Sequence, residues 1–129
     1  DIAGLEQAIP DQMQGNSFKP LLLGNTPQGW RDSFYYHYYE FPGPHQVAKH
    51  YGIRTSNYKL IHYYRVGEWE LFDLKNDPDE QINLYSQTQY ASIVQGLKNK
   101  LHSLQQDLDE PHPEKPVPGD PETKKSSPR

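Results

Sequence analysis

The sequence predicts an α+β domain, a small four-stranded antiparallel sheet packed against a long C-terminal amphipathic helix. Three observations carry this expectation. Residues 30–84 hold short segments rich in Tyr, Phe, Trp and Ile, side chains that suit a pleated, half-buried surface, and Ser-Asn, Val-Gly and Asn-Asp-Pro punctuate them. Residues 90–108 repeat apolar side chains at helical spacing. From Pro111 onward the composition turns to Pro, Glu, Lys and Ser, with almost nothing apolar to bury.

Taken in order, residues 1–29 read as a linker with one short helix. Ser17 is placed to cap that helix, which runs to Leu23 with Pro20 in its first turn and Gly24 as its stop. The chain opens at Asp1, and its single methionine is Met13, so a piece of a longer polypeptide is expected. Four strands follow, at about Phe34–Glu40, His50–Thr55, Tyr58–Tyr64 and Trp69–Asp73. Pro42, Gly43 and Pro44 forbid a regular strand between the first two, so Phe41 to Lys49 is a loop. Ser56-Asn57 and Val66-Gly67 are the hairpin turns, where Asn and Gly tolerate positive φ. In the third strand Tyr58, Leu60, His62 and Tyr64 alternate with Lys59, Ile61, Tyr63 and Arg65. Neither set is cleanly polar, so both faces of the sheet should be at least partly covered.

Asp77-Pro78-Asp79-Glu80 is a type I turn, with proline presetting φ at its second position. Beyond it Thr88 is a plausible N-cap for a helix carrying Tyr90, Ile93, Val94, Leu97, Leu101, Leu104 and Leu108 on one stripe. Residues 110–129 form a Pro-rich tail, with six of the 12 prolines after Glu110, and it should be disordered.

Composition narrows the function classes. A net charge of −4 disfavours nucleic acid as the main partner, since phosphate binding needs a basic stripe. No apolar run approaches the roughly 18 residues of a membrane span. The absence of cysteine removes disulfides and thiolate chemistry. Mean hydropathy is −1.00, poor for a self-sufficient core, and 10 tyrosines partly compensate because each ring buries apolar area while its hydroxyl seeks a partner.

Several residues are candidates for binding. The run Tyr35-Tyr36-His37-Tyr38-Tyr39-Glu40 suits a sugar, whose apolar face stacks on a phenol, although an aromatic strand packed on both faces is the plainer account. His45 and His50 lie in and after the Pro/Gly loop, with Glu40 nearby, and histidine near its ordinary pKa of about 6.5 both donates and accepts hydrogen bonds. Their spacing matches no metal-ligand pattern, so no metal site is expected. Arg54 and Lys59 flank a hairpin, where they either meet an anion or are simply solvated. Asp73, Asp77, Asp79 and Glu80 lack the spacing of a calcium loop, and turn chemistry explains them better. No nucleophile–base pair is readable from spacing.

The segments HYGIRTSNYKLIHYY (His50–Tyr64) and EWELFDLKNDPDEQINL (Glu68–Leu84) together resemble the C-terminal subdomain of sulfatases, enzymes that hydrolyse sulfate esters on carbohydrates and aryl alcohols. MQGNSFKPLL at Met13 to Leu22 is similar to the segment joining the catalytic domain to that subdomain. His45 to Gly52 looks most like the branch acting on sulfated amino sugars, such as the glucosamine 6-sulfatases. The resemblance covers residues 1–108, and it assigns residues 30–109 to the subdomain. It implies a parent sulfatase acting on carbohydrate or glycosaminoglycan sulfate esters, with a formylglycine made from a C/S-x-P-S-R motif and a divalent cation, usually calcium, held in a preceding α/β domain. Neither belongs to this chain: there is no cysteine, and Ser126-Ser127-Pro128-Arg129 lacks the motif's order. The chain alone should therefore be inactive and need no cofactor. Its implied partners are the N-terminal catalytic domain of the same sulfatase and a sulfated sugar, not nucleic acid or membrane, in a periplasmic or extracellular setting. The implied role is accessory: His50, His45 and Glu40 would line the substrate cleft, with no catalytic residue among them. A stand-alone carbohydrate-binding or interaction module that shares only the sheet is the alternative.

Overall fold

The computed structural model describes residues 2–5, 8–10, 12–13 and 15–110. The tail expected after Glu110 thus lies outside the described residues. The chain divides into two compact units, Asp1–Arg31 and Asp32–Arg129.

In the first unit the short helix α1 spans Lys19–Leu22, with proline in its first turn. The Ser17 hydroxyl oxygen accepts the Lys19 N–H at 3.2 Å, yet the N-cap position is Phe18, one residue later than expected. Gly24 stops the helix at φ +78, donating its N–H to the Leu21 carbonyl.

The second unit is the predicted α+β layer. Strands β1 (Ser33–Tyr38), β2 (His50–Thr55), β3 (Tyr58–Tyr63) and β4 (Glu68–Asp73) form one antiparallel meander in the order β1-β2-β3-β4. Helix α2 (Ala91–Asp107), entered through a 3-10 turn at Thr88–Tyr90, lies across β1, β2 and β3. Thr88 is the first residue of that turn, not a cap, and the cap position of α2 is Tyr90 without a side-chain hydrogen bond. Uncapped, α2 depends on its packing.

Strand alternation sends Tyr51, Ile53, Leu60, Tyr64 and Leu71 toward the helix, where they meet Val94, Leu97 and Leu101. Ile53, Leu60 and Leu71 are fully buried there. The opposite face carries Tyr36, Tyr38, His50, Gly52, Ile61, Tyr63 and Phe72, and Ile61 and Phe72 are buried on it. Both faces are covered to this extent, as the mixed alternation of β3 anticipates.

Two turns differ in their chemistry. Gly67 adopts φ +77, as expected, but Asn57 does not enter the positive-φ region. The Thr55 hydroxyl closes that hairpin instead, accepting the Tyr58 N–H at 2.9 Å and donating to the Tyr58 carbonyl at 3.1 Å. The Asp77 turn forms through the Glu80 N–H to the Asp77 carbonyl, and the Asp77 carboxylate accepts the N–H groups of Gln81 and Ile82. Asp73 likewise accepts from Lys75 and Asn76, so both carboxylates serve turns. Asn83 covers the β4 edge: its side-chain oxygen accepts the Leu71 N–H, and the next residue, Leu84, donates to the Leu71 carbonyl.

His62 sits on the helix face, its ring stacked on Trp69 at 4.0 Å and its Nδ1 2.8 Å from the Tyr51 hydroxyl. Burial first, then the Lys98 charge, push its pKa down to about 4.

Three outcomes follow from this packing. Leu97→Asp puts an unpaired charge in the helix–sheet seam and should cost about 3–5 kcal/mol, read as loss of the cooperative thermal transition. Gly52→Ala would set a Cβ 2.5 Å from the Leu60 carbonyl oxygen and should cost about 1–3 kcal/mol in urea unfolding. His62 is neutral in the fold down to about pH 4, whereas in the unfolded chain it protonates near pH 6.5. Stability should thus fall as pH drops from about 6.5 to 4 and level off below, because the unfolded state binds the proton first. His62→Phe, which keeps a ring on Trp69, should lack that part of the slope when unfolding is measured across the same range.

Candidate functional site

The candidate site is built where β1 ends and β2 begins, on the sheet face away from α2. Register sets it: Tyr38 pairs with His50 and Tyr36 with Gly52. Directly opposed residues on one face must meet, and the Tyr38 and His50 rings stack with centroids 5.3 Å apart and planes 23° off parallel. Tyr63 lies tilted against the imidazole at 5.1 Å and Tyr36 presents an edge at 6.0 Å. His50 Nδ1 donates to the Ala48 carbonyl at 2.8 Å. Burial holds the His50 pKa below its ordinary value; the Ala48 bond opposes this, and the Lys59 charge adds to it.

Glu40 follows on from β1. Its carboxylate accepts the Tyr38 hydroxyl at 3.3 Å, so Tyr38 joins two of the expected site residues, His50 on its ring and Glu40 at its oxygen. The loop folds back so closely that a Cβ at Gly43 would stand 2.7 Å from the Glu40 side chain. His45 lies exposed in the same loop and has no hydrogen-bond or ring partner among the described residues. The structure therefore gathers His50 and Glu40 around Tyr38 and leaves His45 apart.

The basic pair resolves differently. Lys59 Nζ meets Glu80 at 2.5 Å and Arg54 stands 3.7 Å from the same carboxylate. The single carboxylate of Glu80, in the Asp-Pro turn, thus bonds Lys59 and stands near the half-exposed Arg54.

The tyrosine run divides by alternation. Tyr36 and Tyr38 face the site, while Tyr35, His37 and Tyr39 turn to the other side. There His37 Nδ1 donates to Glu110 at 2.7 Å and Nε2 accepts the Tyr64 hydroxyl at 3.3 Å. Tyr39 stacks on His37 at 3.6 Å and its hydroxyl also donates to Glu110. Burial would raise the Glu110 pKa, but the bonds from Tyr39, His37 and Tyr35 outweigh it and hold the carboxyl below its usual range. This clasp binds the end of α2 to the edge strand, and nothing local in the sequence announces it: the two partners lie 73 residues apart.

Tyr36 is also notable for a hydroxyl that is buried without a hydrogen-bond partner among the described residues. The tip of its phenol lies over Gly52, where a Cβ would come within 2.6 Å of the oxygen. No cluster of three His, Cys, Asp or Glu side chains able to hold a metal occurs among the described residues. The sequence holds no C/S-x-P-S-R run, and no bond-breaking step is assigned to these residues.

Comparison with known proteins gives this geometry its context. The family model for N-sulphoglucosamine sulphohydrolase, C-terminal, matches residues 1–107. The chain is 44% identical over 117 residues to an N-acetylglucosamine-6-O-sulfatase of Bacteroides thetaiotaomicron, covering 88% of this chain and 21% of that protein. It is 32% identical over 115 residues to human arylsulfatase K, covering 81% and 20%. Among solved structures it superposes with a TM-score of 0.77 and 42% identity on a protein in complex with its substrate D-glucosamine-2-N,6-O-disulfate, covering 81% of this chain and 22% of that one. A 2-O glycosaminoglycan sulfatase superposes with a TM-score of 0.69 at 25% identity, covering 80% and 22%. The chain spans about a fifth of the length of the curated relatives it matches. It belongs to the N-sulphoglucosamine sulphohydrolase C-terminal family and is a sulfatase C-terminal domain homologous to carbohydrate sulfatases.

Proposed function

We propose that this domain serves a carbohydrate sulfatase by lining the sugar side of its substrate cleft, with His50 as the principal contact, Glu40 close by and His45 farther along the same loop. The observation that carries the reading is His50 itself, a half-buried histidine at a strand–loop junction, held by Tyr38 and the Ala48 carbonyl, in a chain 44% identical to an N-acetylglucosamine-6-O-sulfatase. A loop residue anchored by a rigid sheet is well suited to positioning a ligand. The expected substrate is a 6-sulfated glucosamine. Formylglycine and a divalent cation, calcium by family resemblance, would be supplied by the preceding catalytic domain, which is also the partner for the aromatic sheet face. By itself the chain should hydrolyse no sulfate ester.

The test uses the longer enzyme that carries this domain. His50→Ala should lower kcat/KM on N-acetylglucosamine 6-sulfate by about 5- to 150-fold, the loss of one uncharged hydrogen bond in a closed cleft. Turnover of a small aryl sulfate should fall far less, and the melting temperature should hold. His45→Ala and Glu40→Gln test the two flanking contacts in the same assay. Equal losses on both substrates, or no loss for any variant, would return these residues to loop scaffolding.

A further inference from the structure

The single hydrogen bond of the His50 ring fixes the polarity of whatever the ring meets. A carbonyl oxygen only accepts, so the proton of the neutral imidazole stands on Nδ1, facing Ala48, and Nε2 carries the lone pair. Nε2 has no partner among the described residues, yet it is not one of the buried polar atoms lacking a bond, so it reaches the surface. The groups packed around the ring are phenols, Tyr36 and Tyr38 from β1 and Tyr63 from β3. The charge acting on it is the Lys59 ammonium, which opposes a second proton. Glu40, the carboxylate beside it, is engaged by the Tyr38 hydroxyl and not by the imidazole.

We infer that His50 reads a hydrogen-bond donor on the ligand, a sugar hydroxyl or N–H, through an unprotonated Nε2, and that Tyr38 is the positioning residue that fixes the ring plane. The ring does not clasp the sulfate, whose oxygens have no proton to give and would face the lone pair. This rests on the reading that His50 touches the sugar, and it adds which part of a sulfated sugar the imidazole meets.

Two measurements decide it. Long-range proton–nitrogen NMR spectra of the chain at neutral pH should show His50 in the Nδ1–H tautomer. Tyr38→Phe, which keeps the stacked ring, should preserve that signature, and Tyr38→Ala should blur it into a mixture. An Nε2–H tautomer, or no response to Tyr38→Ala, overturns the inference without involving substrate. In the longer enzyme, with N-acetylglucosamine 6-sulfate as probe, kcat/KM should fall on acidification as His50 takes a second proton, and that fall should vanish in His50→Gln. His50→Gln, whose amide oxygen accepts, should exceed His50→Ala by about fivefold or more. A rise in kcat/KM on acidification, or rescue by His50→Lys but not by His50→Gln, is the signature of an imidazolium on sulfate and overturns the inference while leaving the contact intact. Turnover unchanged in His50→Ala overturns both.

Discussion

The close approach of the Tyr36 ring to the backbone at Gly52 is the constraint on which the sheet and its site depend. Only a residue without Cβ leaves room there, because a methyl group would meet both the Tyr36 oxygen and the Leu60 carbonyl. With Gly52 opposite Tyr36, the pairing of β1 with β2 is set along its whole length. A slip of one residue would turn Tyr51 and Ile53 out of the helix-facing core and expose them. The same register brings His50 against Tyr38 and Tyr51 against His37. One glycine thus links the packing of the fold to the geometry of the candidate site.

The two faces of the sheet are stabilised by different means. On the helix face, Ile53, Leu60 and Leu71 pack with Val94, Leu97 and Leu101, and burying each such side chain contributes about 1.5–3 kcal/mol. That area holds α2 in place without an N-cap, and the Glu110 clasp on His37 secures its far end. The other face relies on rings: Tyr36 covers the Gly52 backbone, Tyr63 leans on His50, and the Tyr63 hydroxyl donates to Glu70 at 3.1 Å. Rings that lie along a sheet give a rigid, semi-polar surface, suited to covering by another polar surface or a sugar.

How much of this was legible in the sequence follows from which interactions are local. The four strands and α2 could be read because their signals, β-branched and aromatic runs and a 3.6-residue stripe, lie within each segment. Asn57 was expected to turn its hairpin by positive φ; the Thr55 hydroxyl does so instead, and two turn residues side by side do not reveal which carries the load. Thr88 has the right chemistry for a cap, but the chain first makes a 3-10 turn and the helix starts three residues later. Glu110 reads as the start of the tail because Pro111 follows it, and only the tertiary fold brings it to His37. At the site, His50 was visible as a histidine between loop and strand. Its tautomer was not, since that depends on the path of the loop at Ala48.

The distribution of charge bears on the recognition role proposed for this domain. The cations nearest the aromatic face, Arg54 and Lys59, meet Glu80, and Glu110 meets His37 on the other side. Around the His50 ring stand the phenols of Tyr36, Tyr38 and Tyr63, and burial holds its pKa below the ordinary value. Such a surface presents rings and hydrogen-bonding groups around the imidazole. It can discriminate among neutral groups, because a hydrogen bond left unmade in a closed cleft costs more than an ion pair gains at an open surface.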